Sequence, residues 1–218
     1  MDRQKNKYYY LKGIKNGMPI CLGYLAVSFT LGITARNAGM TAWQAMLTSL
    51  ACNASAGQYA GFTVIAAGGT YFEMVLMELV ANARYLLMSC SLSQKFSSET
   101  GLLHRLLVGF DVTDEIFGVA VSEPGKLNPF YNYGMMTVAI PGWSLGTFFG
   151  VIMGNILPAN IVSALSVGLY GMFLAIIIPP ARKNKVIAAL VTISMVSSYI
   201  FSRLPVISDI SSGIRTII

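Results

Sequence analysis

Charge is what this sequence has least of. Only 11% of its 218 residues are Asp, Glu, Lys or Arg, whereas 55% are hydrophobic. A soluble domain is about a quarter charged, and so few charges could not keep this much apolar surface dissolved. Histidine occurs once, and the three cysteines, Cys21, Cys52 and Cys90, lie scattered in apolar segments with no CxxC spacing. Neither a disulfide framework nor a zinc site is expected, and the cysteines read as small buried hydrophobes. No GxSxG, HExxH or Walker A stretch occurs. Neither an enzyme nor a cofactor is therefore expected, and ATP-driven transport by this chain alone is disfavoured. The short apolar–polar alternation of β-barrel strands is missing as well.

What is present is a series of long apolar runs, at about 17–36, 41–69, 72–94, 102–122, 130–156, 160–179 and 185–201, with a weaker piece at 203–218. Several reach about twenty residues, enough to cross roughly 30 Å of hydrocarbon at 1.5 Å per residue. The fold expected is all-α, a polytopic membrane helix bundle with about seven hydrophobic segments. With no low-complexity tract or linker, residues 1–218 read as a single transmembrane domain. The first run could pass for the core of a signal peptide, but it is long for one and contains Pro19, Gly23 and Gly32. It reads as a retained span.

The net charge of +6 would suggest nucleic acid in a soluble protein. Here the cations stand at the ends of apolar runs, as in cytoplasmic loops of membrane proteins, and no nucleic acid is expected. Residues 1–16 carry Arg3, Lys5, Lys7, Lys12 and Lys15 beside Tyr8, Tyr9 and Tyr10. They read as a basic cytoplasmic segment lying along the lipid interface.

Two segments fit poorly as ordinary spans. Run 41–69 is interrupted by polar and small residues from Asn53 to Gly61, and run 102–122 holds Asp111, Asp114 and Glu115 near its middle. Broken or re-entrant helices are tolerated in a membrane only where protein or water surrounds the freed backbone. If both segments crossed fully, nine Lys/Arg would lie inside and five outside; if both are re-entrant, the split is 11 to 3. The positive-inside rule mildly favours two re-entrant segments.

Three features could carry chemistry. Asp111, Asp114 and Glu115 are spaced to share one face of a helix. They read either as a site for an ammonium, a cation or a coupling proton, or as charges that neutralise Arg84 or cap a helix beside Thr113. Arg84 cannot lose its proton, so its burial demands a partner, and Asp114 or Glu115 is the leading candidate. It serves either as half of a structural ion pair or as a clamp for a substrate carboxylate. Glu78 and Asn82 share a face that Arg84 does not. The third feature is the stretch with Asn53, Ser55, Gly57 and Gln58. Asn53 and Ser55 suit a helix N-cap at membrane depth, whose free N–H groups would attract a carboxylate. The bland reading is a small-residue packing face with a buried amide. Gly142, Gly146, Gly150 and Gly154 recur every fourth residue and predict close packing against another helix. His104 reads as a solvated loop residue.

The order of these motifs resembles the AzlC family, the large subunit of a two-component branched-chain amino acid exporter. The resemblance rests on Gly57-Gln58-Tyr59, Asn82-Ala83-Arg84-Tyr85 and Thr113-Asp114-Glu115, and it covers nearly the whole chain. Tyr85 stands where the family usually has His, and Tyr59 where it often has Phe. The resemblance implies secondary export of branched-chain amino acids, with methionine as a further substrate. It implies a location in the bacterial cytoplasmic (inner) membrane and a small AzlD-type membrane subunit as partner. A zwitterion needs an anionic and a cationic subsite. The residues that could supply them are Asn53, Ser55, Gly57, Gln58, Asn82, Asp114 and Glu115, with Glu78, Arg84 and Asp111 in coupling or ion pairing.

Overall fold

The computed structural model describes residues 3–154, 156, 160–161, 174, 178, 181–182 and 184–203. The expected runs at 160–179 and 203–218 lie largely outside them. Among the described residues there are helices and no strands. The chain divides into two compact units, residues 1–172 and 173–218. The second contains α8 (Lys185–Arg203), whose start is marked by Asn184 Oδ1 accepting from the Val186 N–H at 2.9 Å.

Among the described residues of the first unit, three helices are long and apolar enough to cross a membrane: α1 (Arg3–Asn37), α4 (Tyr71–Lys95) and α7 (Pro129–Met153). Between them lie two pairs of short helices, α2 (Ala42–Ala51) with α3 (Ser55–Ala66), and α5 (Leu102–Phe110) with α6 (Asp114–Val121). At 1.5 Å per residue each short helix is roughly 12–18 Å long, half the hydrocarbon thickness. Runs 41–69 and 102–122 are thus broken helices.

Helices α1 and α7 form the spine. Gly13 lies against Tyr131 and Gly134, Gly17 against Met135, Gly142 against Cys21, Gly146 against Leu25 and Ser28, and Gly150 against Phe29 and Gly32. The paired numbers rise together, so the helices run parallel. Glycine recurs on both because backbone meets backbone there and a Cβ would collide. At one end of this spine Asn128 donates to Asn6 at 3.0 Å, and at the other Arg36 donates to the Val151 carbonyl at 3.0 Å.

These two ends fix the direction of the short pairs. Helix α4 finishes at the first end, where Lys95 O accepts from the Leu127 N–H at 2.9 Å and Glu123 is held by Lys12 at 2.5 Å. Helix α3 packs antiparallel to α4, with Gly57 against Asn82 and Glu78, Gly61 against Glu78 and Gly69 against Glu73. It must therefore finish at the second end. That is where α2 starts, directly after α1, with Thr41 and Gln44 forming a capping box. The α2–α3 pair is a hairpin entering from the second end.

The α5–α6 pair does the reverse. Arg105, near the start of α5, donates to the carbonyls of Ser93, Ser97 and Thr100 at 2.9–3.1 Å, tying that start to the end of α4. His104 Nδ1 is 2.7 Å from the Tyr133 hydroxyl near the start of α7, so it is a tethered residue rather than a solvated one. The chain leaves α6 into the loop that carries Glu123. Both arms lie at the first end. A long helix followed by a hairpin thus occurs twice, α1 with α2–α3 and α4 with α5–α6, in opposite senses. The two halves are thus arranged as an inverted repeat.

Candidate functional site

The tips of the hairpins meet at mid-bundle. Asp111 closes α5 as its C-cap, and Thr113 opens α6 as its N-cap, its hydroxyl oxygen accepting from the Ile116 N–H at 3.3 Å. The spacing of Asp111, Asp114 and Glu115 predicts one helical face, but the backbone at Thr113 is extended (φ −95°, ψ 166°) and the helix breaks there. Asp111 therefore faces the other hairpin, while Asp114 and Glu115 occupy the first turn of α6, where the helix dipole favours negative charge.

The opposite tip differs from expectation in a similar way. Helix α3 is entered through Ala54, extended at φ −135° and ψ 109°, with no side-chain cap. Neither Asn53 nor Ser55 caps it. Asn53 instead donates from Nδ2 to Asp111 Oδ1, the bond that joins the two hairpins. Ser55 is the first residue of α3 and lines the pocket beside it. The first-turn amides of α3 are left without a side-chain acceptor.

Around this junction lies a small pocket, whose walls include Asn53 and Ser55 from one hairpin and Thr113, Asp114 and Glu115 from the other. Its free space is about 10 Å³, room for about one water. Three aromatic residues close it. The Tyr24 hydroxyl donates to Glu115 Oε2 at 2.7 Å and stands 2.6 Å from Thr113 Oγ1. Its ring meets Trp143 edge-on, with centroids 5.2 Å apart. Tyr85 supplies the third wall, with the Arg84 guanidinium 5.3 Å above its ring. Arg84 pairs with Asp114 at 3.0 Å. Among the described residues no cation pairs with Asp111 or Glu115, both of which are buried.

Other residues expected at the site stand outside this pocket. Gln58 is buried in a chain of hydrogen bonds: Trp143 Nε1 donates to its Oε1 at 2.7 Å, and its Nε2 donates to Ser49, which in turn donates to Thr147 at 2.7 Å. Its amide is committed to joining the first hairpin to α7. Gly57 gives room to Glu78 and Asn82, which are bonded to each other at 2.7 Å. This is a second polar cluster, on the α3–α4 face. Tyr24 and Trp143 were not anticipated from the sequence. A lone hydroxyl or indole N–H in an apolar helix needs a partner, and that need was the only signal either carried.

The model of the AzlC protein family matches residues 19–157, from the middle of α1 through both hairpins and past the end of α7. A membrane protein of Archaeoglobus fulgidus is 30% identical over 83% of this chain and 80% of its own length. The chain belongs to the AzlC family. It is also 26% identical to the inner membrane protein YgaZ of Escherichia coli, over 67% of this chain and 61% of that one. A Helicobacter pylori membrane protein is 25% identical over 67% and 66%. The matched regions thus amount to a little under two thirds of the last two relatives. No solved structure matches. The AzlC match spans every residue of the junction, the pocket and the Gln58 chain.

Proposed function

We propose that this AzlC-family membrane protein is the large subunit of a two-component secondary transporter that exports branched-chain amino acids, with methionine as a further substrate. A small AzlD-type subunit would be its partner. The observation that carries the reading is the convergence of the two hairpin tips on one pocket of opposed character. On one side lies an uncapped helix N-terminus, suited to a carboxylate. On the other lies Glu115, a buried carboxylate that accepts from the Tyr24 hydroxyl and has no ion pair among the described residues, suited to an ammonium. Val27 and Trp143 offer apolar surface for the side chain. Arg84 is already engaged by Asp114, which favours the ion-pair role over the carboxylate clamp.

An amino acid is far larger than the free space present, so binding requires the Tyr24–Glu115 contact or the hairpin tips to part. Inverted repeats provide that opening alternately to either side. The first end carries Arg3, Lys5, Lys7, Lys12, Lys15, Lys95, Arg105 and Lys126, and the second end carries Arg36. By the positive-inside rule this asymmetry supports a cytoplasmic N-terminus, with the protein in the inner membrane.

Counterflow of labelled leucine in proteoliposomes, with and without the co-expressed small subunit, tests the proposal. Saturable uptake competed by valine and isoleucine is expected with both subunits present. No counterflow of any branched-chain amino acid by the complete complex would reject it.

A further inference from the structure

The junction between the hairpins contains two buried oxygens that lack a partner, and they sit on the two residues already bonded to each other. Asn53 Nδ2 donates to Asp111 Oδ1. Asn53 Oδ1 and Asp111 Oδ2 are both buried and have no hydrogen-bond donor. Asp111 itself is 1% exposed. A buried acceptor without a donor is costly, and two on one contact call for a common cause. With Asp111 ionised, both atoms are pure acceptors and nothing within the pair can satisfy either. A single proton on Asp111 Oδ2 changes that. The carboxylic acid then donates to Asn53 Oδ1 while Oδ1 of the acid still accepts from Asn53 Nδ2, forming a cyclic acid–amide pair.

The neighbouring groups offer an ionised Asp111 no counter-charge. The titratable groups that act on Asp111 are Tyr24 from α1 and Glu115 from α6, and Tyr85 from α4 and Asp114 from α6 line the pocket beside the junction. Among the described residues no cation pairs with Asp111, and Arg84 is paired with Asp114. Glu115 adds a further negative charge nearby. An ionised, half-satisfied carboxylate at membrane depth would lack compensation on every side.

We infer that Asp111 is a proton-binding site whose proton closes the acid–amide pair with Asn53 and so joins the tips of the two hairpins. Release of the proton leaves two facing acceptors and opens the contact between the tips. Loading and release of a proton thereby bear on whether the hairpins stay together, which makes the proton the coupling ion of the transport cycle. This deepens the transport reading by naming what it is coupled to, but the tip contact can be examined without any flux.

The test is infrared difference spectroscopy of the intact protein in nanodiscs, with its small subunit where the two co-purify, carrying carbon-13 at the aspartate carboxyls. An aspartic acid carbonyl band is expected at neutral pH, disappearing as the pH is raised. It should be lost in Asp111→Asn and shifted in Asn53→Ala, which lacks the pairing amide. Asp111→Asn presents an amide in place of the acid and can form the same cyclic pair, so folded yield like that of the wild type is expected. Should that variant fail to fold, the wild-type pH titration and Asn53→Ala decide alone. Aspartates ionised throughout, a band unaffected by both substitutions, or a carboxylate band that responds to sodium and not to pH would overturn the inference. Absence of leucine counterflow alongside the expected band would instead reject the substrate and keep the proton site.

Discussion

At Asp114 and Glu115, charge and shape can be separated by isosteric substitution. Glu115 is bonded to the Tyr24 hydroxyl and, among the described residues, pairs with no cation. Glu115→Gln keeps a hydrogen bond to Tyr24 but removes the charge that would hold an ammonium. Leucine counterflow should fall to background while the folded yield is retained; near-normal flux would remove Glu115 from the substrate site. Asp114 differs because it neutralises Arg84 at 3.0 Å. Arg84→Gln leaves that carboxylate unpaired, a loss of about 3–5 kcal/mol for a fully buried pair. The side chains here are 46% and 28% exposed, so a several-fold drop in folded yield is expected rather than complete loss. The double variant Arg84→Gln/Asp114→Asn should recover much of it. Failure of that recovery in a yield assay would mean the pair is not what Arg84 contributes.

Single residues also show where the sequence could and could not be read. Arg84 needed a carboxylate, and the sequence offered few at membrane depth, so its pairing with Asp114 was within reach. The fate of Gln58 was not. An amide in a small-residue stretch satisfies a pocket or a packing interface equally well, and only the position of Trp143 and Ser49 decides which. Helical spacing likewise grouped Asp111 with Asp114 and Glu115, because spacing assumes a continuous helix. The extended backbone at Thr113 breaks that assumption.

Among the helices, the α1–α7 spine is held by glycines that admit no side chain. A Cβ at Gly146 would meet the backbone of Leu25 and the hydroxyl of Ser28. Gly146→Leu is expected to destabilise by at least about 1–3 kcal/mol, the usual cost of overpacking. A thermal melt of the purified protein should show this, and an unchanged melting temperature would contradict the contact. The fourfold glycine repeat announced a close approach to another helix, but it could not name α1 as the partner. That required the matching glycines Gly13, Gly17 and Gly32, whose spacing is less regular. At the hairpin–spine contact, Gln58→Leu leaves the Trp143 N–H and the Ser49 hydroxyl short of partners, a cost of about 1–3 kcal/mol. Its melting temperature should fall while the leucine concentration for half-maximal counterflow stays unchanged. The opposite pattern would return Gln58 to the substrate site.

For the whole molecule, the defining feature is two hairpins that enter from opposite ends and meet at Asn53 and Asp111. The interruptions in runs 41–69 and 102–122 made the breaks legible. Their directions depended on charge counts too small to decide firmly, and on contacts such as Lys12–Glu123 and Arg105–Ser97 that join residues far apart in sequence or across a turn. Side-specific labelling tests these directions most directly. In a variant with Cys21, Cys52 and Cys90 replaced, single cysteines at Asn37 and Ala67 flank the first hairpin, and those at Glu99 and Lys126 flank the second. In intact cells treated with a membrane-impermeant maleimide, Asn37→Cys and Ala67→Cys should both react, and Glu99→Cys and Lys126→Cys should react only after the membrane is opened. Labelling that differs between the two cysteines flanking either hairpin would show a full crossing and contradict the re-entrant architecture.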